Sequence, residues 1–263
     1  MARSTEADVA VICLVGERGR EVREFLDESL GARGLERSVV VCATSDAPPL
    51  VRLKSALIAT AVAEYFREEG RRVLLLMDSV TRFARALREV ALAAGEPPAR
   101  RGYPPSVFAQ LPRLLERTGT SPRGSITAIY TVLVEGGDLE EPVADEVRGI
   151  LDGHIVLSRE LAQRGHWLQS LSRTMPAVTD EAHRAAAGAL RRVLAVYERQ
   201  RNLILLGAYQ RGSDRETDHA LEVIDAVQAF LCQRVDETAA LEETIAALRR
   251  LFPGRGGSQA RGG

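Results

Sequence analysis

A chain of 263 residues with 45% hydrophobic and 27% charged residues has enough apolar material for a substantial core, and this composition excludes extensive disorder. Its 35 basic residues nearly balance 36 acidic ones, for a net charge of -1, so no overall field draws it to nucleic acid or to an anionic membrane. Cys13, Cys42 and Cys232 form no C-x-x-C pair, which argues against a zinc site or a disulfide framework and fits a reducing cytoplasm; no apolar run approaches the roughly 18 residues that span a bilayer.

The run from Val9 to Val15, closed by Gly16, is short and apolar on both faces, as a buried parallel strand is. A helix is predicted over Arg20 to Leu30, and a second strand over Val39 to Ala43. A long helix then runs from Leu50 to Phe66, entered through Pro48-Pro49 and closed near Gly70. A third strand, Val73 to Met77, ends at Asp78 and leads into a helix from Thr81 to Ala94. Gly95 to Pro105, rich in Gly, Pro and Arg, reads as an exposed loop. A fourth strand is Ser125 to Leu133, and a fifth, His154 to Leu157, follows the turn Asp152-Gly153.

Strands separated by helix-length connections predict an α/β fold with a mainly parallel sheet, whose ligands sit beyond the carboxyl ends of the strands. Beyond Pro176 the pattern turns helical, over Thr179 to Arg199, Asp218 to Arg234 and Thr238 to Leu251. The expected organisation is a core over 1–176, a small all-helical domain over 177–252 and a flexible Gly-rich tail over 253–263.

Two acidic residues close predicted strands. Asp78 stands where a nucleotide hydrolase keeps the carboxylate that holds Mg²⁺, directly or through water; the alternative is a helix N-cap. Glu17, in Gly16-Glu17-Arg18-Gly19, can orient or deprotonate a water attacking a γ-phosphate, with the neighbouring Arg18 fixing it by an ion pair; the alternative is a capped turn. In one parallel sheet both would face the same crevice. The run Arg82, Arg85, Arg88 has helical spacing and reads as a solvated face, with contact to a partner or neighbouring subunit as the alternative. His154 and His166 lack partners at metal spacing, and Trp167, the one tryptophan, reads as packing unless it borders a ligand. The only lysine, Lys54, lies inside a predicted helix with no preceding glycines, so the 263 residues hold no G-x-x-x-x-G-K-[ST] phosphate loop.

GERGREVREF (16–25), ATSDAPPLVR (43–52), LLLMDSVTRFARA (74–86), GEPPARRGYPPSVF (95–108), GSITAIYTVLVEG (124–136) and ILDGHIVLSRELA (150–162) together resemble the type III secretion ATPases. The injectisome and flagellar-export members of that family are relatives of the catalytic subunits of F-type rotary ATPases. The resemblance runs from about Ser4 to about Leu251, and segments such as ATSDAPPLVR favour the injectisome branch. It implies a RecA-like P-loop NTPase core that takes ATP and Mg²⁺, assembles as a homo-hexameric ring and carries a helical domain facing the export gate.

The function so implied is ATP hydrolysis that energises chaperone release and the unfolding and export of cargo. The implied setting is the cytoplasm, peripheral to the inner membrane, with stator and central stalk proteins as further partners and no nucleic acid. By the same resemblance Glu17 matches the catalytic carboxylate, Arg18 the arginine beside it, Asp78 the Walker B acid and Arg173 the arginine finger that reaches a neighbour's nucleotide. Trp167 would replace the adenine-facing aromatic.

Two departures from the family pattern stand out. The family's amino-terminal barrel, first core strand and P-loop precede the segment equivalent to residues 1–6, which implies an exposed sheet edge, little hydrolysis by the chain alone, and either a fragment or a decayed copy. The residues between the aromatic and Leu171-Ser172-Arg173 are fewer than usual, which bears on where Arg173 sits. A non-catalytic scaffold that binds chaperone, stator or stalk is the competing reading.

Overall fold

The computed structural model describes residues 5–158, 168–172, 174–234 and 237–253. The chain divides into two compact units, Met1–Leu151 and Asp152–Gly263.

The first unit is built on strands β1 (Val9–Val15), β2 (Ser38–Ala43), β3 (Arg72–Asp78), β4 (Gly119–Thr120) and β5 (Ser125–Tyr130), in the order β2-β1-β3-β5-β4. The pairs β1/β2, β1/β3 and β3/β5 are parallel, and only the two-residue β4 runs antiparallel to β5. The α/β expectation holds for this sheet. Because β4 covers only Ser125 and Ile126, residues 127–130 form an open edge among the described residues.

The period-two alternation of β1 explains why it is apolar throughout. Val11, Cys13 and Val15 join Val73, Leu75 and Met77 in a core covered by α3 (Pro49–Glu68), α4 (Val80–Ala93) and α5 (Pro105–Leu115). Ile12 and Leu14 point the other way and pack with Leu30 under the helical run formed by α1 (Gly19–Glu24), a π-helical stretch (Phe25–Leu30) and α2 (Gly31–Leu35). Ala56, Ala59 and Ala63 are fully buried, so α3 meets the sheet through small side chains. At its far end Gly124 faces the Arg67 and Arg71 carbonyls, which a Cβ would approach to 2.6 and 2.5 Å.

Several elements differ from expectation. The fourth strand stops at Tyr130: Thr131 still donates to the Met77 carbonyl of β3, but its own carbonyl accepts from the Val80 N–H, and the Leu133 N–H donates to the Thr81 hydroxyl, both at the start of α4. Helices α5 and α6 (Pro142–Ile150) were not expected, and both begin with proline in the first turn, where its missing N–H costs nothing. The fifth strand is no part of the parallel sheet. It is β6 (Gly153–Leu157), in the second unit, and it pairs antiparallel with β7 (Leu168–Ser172). Ile155 and Leu157 are 58% and 72% exposed, so its apolar run is not the signature of a strand buried on both faces.

The other elements of the second unit among the described residues are helices: α7 (Met175–Val178), α8 (Glu181–Leu205), α9 (Arg215–Leu231) and α10 (Leu241–Leu251). Asp180 caps α8 by accepting from the His183 N–H at 2.8 Å and also binds Arg249 of α10 through both oxygens. Val193, Val196, Ala220, Ile224, Val227 and Leu248 form the core among these helices. No described helix is long and apolar enough to cross a membrane.

Candidate active site

The carboxyl ends of the adjacent parallel strands β1 and β3 carry the two acidic residues singled out from the sequence. Leu14 pairs with Asp78 across the ladder, and Glu17 lies three residues farther along the chain from Leu14. Gly16 makes the turn between strand and carboxylate at φ +72°, a conformation natural only for glycine, and its N–H donates to the Ala43 carbonyl at 2.7 Å.

Neither acidic residue is a cap. Ser79 caps α4, its hydroxyl accepting from the Arg82 N–H at 3.2 Å, which leaves the Asp78 carboxylate free for other work. Asp78 Oδ1 accepts a hydrogen bond from the Thr131 hydroxyl at 2.6 Å. At the start of α1 it is Glu21 that accepts from the Arg18 N–H, at 3.4 Å.

The expected ion pair between Glu17 and Arg18 is replaced. Arg18 pairs with Glu21 at 3.5 Å on the surface, whereas Glu17 Oε1 lies 3.1 Å from Nη2 of Arg82. Arg82 Nη1 also donates to the Gly16 carbonyl, so one guanidinium grips both the turn and its carboxylate. Its side chain is 28% exposed and that of Glu17 13%. Arg82 is therefore not part of a solvated face. Of its two companions, Arg85 pairs with Glu135 at 3.1 Å in solvent, and Arg88 lies over the Tyr103 ring at 5.3 Å. Sequence reasoning missed Arg82 because the partner is 65 positions away; the available signal was an arginine four residues after an acidic strand end.

Each acid lies within reach of the other's charge. Burial pushes the Glu17 carboxyl above its ordinary range, the negative charge of Asp78 adds to the rise, and the Arg82 guanidinium opposes it. Cys42 on β2 borders the same crevice: its thiol is raised by burial and by the Glu17 charge. A carboxylate shifted toward neutrality is suited to taking a proton from water.

No described group of three or more His, Cys, Asp or Glu is arranged to hold a metal by itself. One hard carboxylate oxygen of Asp78 beside a second acid fits Mg²⁺, which keeps several waters and draws ligands from substrate phosphates rather than from an all-protein cage. The carboxylate side of an Mg·ATP site therefore fits these residues, while the G-x-x-x-x-G-K-[ST] cradle is not among the 263. Arg173, Trp167 and His166 lie outside the described residues.

Residues 1–172 match the ATP synthase alpha/beta family nucleotide-binding domain, and residues 179–250 match the T3SS EscN ATPase C-terminal domain. The chain is 57% identical over 256 residues to the flagellum-specific ATP synthase of Bacillus subtilis (strain 168), covering 95% of this chain and 58% of that protein. It is 57% identical over 252 residues to the type 3 secretion system ATPase of Xanthomonas euvesicatoria, covering 94% of this chain and 57% of that one. The chain thus spans somewhat less than three fifths of the length of these relatives. The assembled ATPase EscN of the enteropathogenic E. coli type III secretion system superposes with a TM-score of 0.89 at 48% identity, over 95% of this chain and 62% of EscN. Its complex with the central stalk EscO gives 0.88 at the same identity, over 95% of this chain and 61% of that chain. With a mainly parallel RecA-like core, a helical carboxyl-terminal region and matches that run through both, the chain belongs to the ATP synthase alpha/beta family, among the type III secretion and flagellar export ATPases.

Proposed function

We propose that this chain carries the carboxylate half of an ATP-hydrolysing site that energises type III protein export. The observation that supports the reading most is the placement of Glu17 and Asp78 at the ends of neighbouring parallel strands, with Arg82 fixing Glu17 while burial keeps its carboxyl raised.

In this reading Glu17 accepts the proton of the water that attacks the γ-phosphorus, and Arg82 fixes the carboxylate that does so. Asp78 holds Mg²⁺, directly or through water. Bound there, the ion would supply positive charge against the negative charge that develops on the phosphates. Arg18, exposed beside Glu17 in the chain, would meet phosphate or a neighbouring subunit, Arg173 would reach across to a neighbour's nucleotide, and Trp167 would lie against adenine. The core is assigned to residues 1–176, the helical domain to 177–252 and the tail to 253–263.

By analogy with the assembled EscN and its stalk complex, a homo-hexamer with a central stalk partner is proposed, at the cytoplasmic face of the export machinery, acting on chaperones and cargo. The chain by itself is expected to hydrolyse ATP poorly, because it lacks the phosphate cradle. The test is a chimera that joins the preceding part of the Bacillus relative to this chain. It should hydrolyse ATP, and Glu17→Gln should reduce kcat by about 10²- to 10⁴-fold, the range of a lost general base. A folded, ring-forming chimera whose rate is indifferent to Glu17→Gln would refute the assignment of Glu17; family-normal hydrolysis by the chain alone would instead refute the expectation drawn from the missing phosphate cradle.

A further inference from the structure

Asp78 is held by a residue from another strand. Thr131 directly follows β5, and its backbone straddles the Asp78-Ser79 turn: its N–H donates to the Met77 carbonyl at 3.0 Å, and its own carbonyl accepts from the Val80 N–H at 3.0 Å. Its hydroxyl has one hydrogen and two acceptors in range, Met77 O at 3.3 Å and Asp78 Oδ1 at 2.6 Å. The short bond to a carboxylate is the charge-assisted one and takes the hydrogen.

The segment cannot drift away from this position. Thr81, fully buried on the first turn of α4, donates its hydroxyl to the Leu133 carbonyl at 3.2 Å and accepts from the Leu133 N–H at 2.8 Å. The hydroxyl is thus presented from a backbone pinned to both sides of the residue it serves. Thr131 itself is exposed, so its side chain fills no core position. With Oδ1 engaged, Oδ2 is the oxygen left for a cation.

From this arrangement we infer that Thr131 is a positioning residue for Asp78: its hydroxyl selects the carboxylate rotamer and determines which oxygen is offered to a divalent cation. The inference deepens the reading of Asp78 as the metal-side carboxylate and rests on it. It predicts an effect of the hydroxyl and not of side-chain volume. Outer-shell partners that orient a ligating group typically carry about 10- to 100-fold in metal affinity.

The experiment uses the full chain and three variants, Thr131→Val, Thr131→Ser and Asp78→Asn. Two quantities are measured: the Asp78 χ1 population, from three-bond couplings with labelled aspartate, and Mn²⁺ binding, from the loss of free Mn²⁺ signal. Thr131→Val should convert one Asp78 rotamer into an average and weaken Mn²⁺ binding at least tenfold, while Thr131→Ser keeps both as in the parent chain. A single unchanged rotamer in Thr131→Val overturns the inference, and so does averaging in Thr131→Val and Thr131→Ser alike, which would make the effect one of packing. If Mn²⁺ binding is indifferent to Asp78→Asn, the metal reading of Asp78 falls; the rotamer measurement, made without metal, still decides what Thr131 does.

Discussion

Nη2 of Arg82 sits 3.1 Å from Oε1 of Glu17, bridging the first turn of α4 to the loop after β1. Because this guanidinium opposes the rise in the Glu17 pKa and the charge of Asp78 promotes it, two substitutions should move the same carboxyl in opposite directions. Arg82→Met should push the Glu17 titration further up, and Asp78→Asn should bring it down, both read by carboxyl carbon NMR. The folded-state pKa lies above the unfolded one, so protonation favours the folded state. Unfolding free energy should therefore gain a Glu17 contribution as pH falls through the folded pKa toward the ordinary glutamate value, more so in Arg82→Met.

Gly16 controls the same contact from the other side. An alanine there would carry φ +72° at a cost of about 1–2 kcal/mol, and its Cβ would stand 3.1 Å from Cδ of Arg82. Gly16→Ala should lower the urea midpoint and also shift the Glu17 titration upward, as Arg82→Met does. Destabilisation with no change in the Glu17 titration would mean that the guanidinium keeps its grip without the turn.

The parts of this architecture that were legible in the sequence are those in which a local pattern meets one physical demand. β1 and β3 lie between layers, so they must be apolar on both faces, and their runs announce them. Helices α5 and α6 each begin at a proline, and Pro104-Pro105 read as the end of a loop, while Pro112 stands inside α5. The acidic ends Glu17 and Asp78 could be found because each follows a strand. Arg82 and Thr131 were missed, because helical periodicity and strand propensity by themselves do not say which side chain meets which across a sheet. The antiparallel pairing of β6 with β7 was equally invisible, since Ile155 and Leu157 look like core in sequence and are exposed in the fold.

Cys42 offers a reporter of the crevice charge. Its thiol is raised by burial first and by the Glu17 charge second, whereas Cys13 is buried and pushed up to about 12. Thiolate is the reactive form, so Glu17→Gln should lower the Cys42 pKa and speed its alkylation by iodoacetamide at mildly alkaline pH. Cys13 should stay inert, and Cys232, in the other unit, should react at an unchanged rate as the internal reference. Peptide-resolved mass spectrometry separates the three. An unchanged Cys42 rate in Glu17→Gln would place the Glu17 charge farther from β2 than the structure does.

Away from the site, Arg117 grips Glu64 of α3 through two bonds, Nε to Oε1 at 2.9 Å and Nη2 to Oε2 at 2.5 Å, with both side chains less than a third exposed. The hydrogen bond from Arg117 holds the Glu64 carboxyl below its ordinary range. A depressed folded-state pKa contributes stability that is fully present above the unfolded pKa and is lost as pH falls through the folded one. Glu64→Gln keeps the shape and removes the charge, so the variant should be less stable than the parent at pH 7 by about 1–2 kcal/mol, as charge-assisted bidentate pairs of this exposure are. The gap should be constant down to the ordinary glutamate pKa and close below it. Urea unfolding of the two proteins from pH 7 to the acid limit measures this directly. A gap that persists unchanged at the lowest pH would assign the stabilisation to packing of the Glu64 side chain against Arg117 and not to its charge.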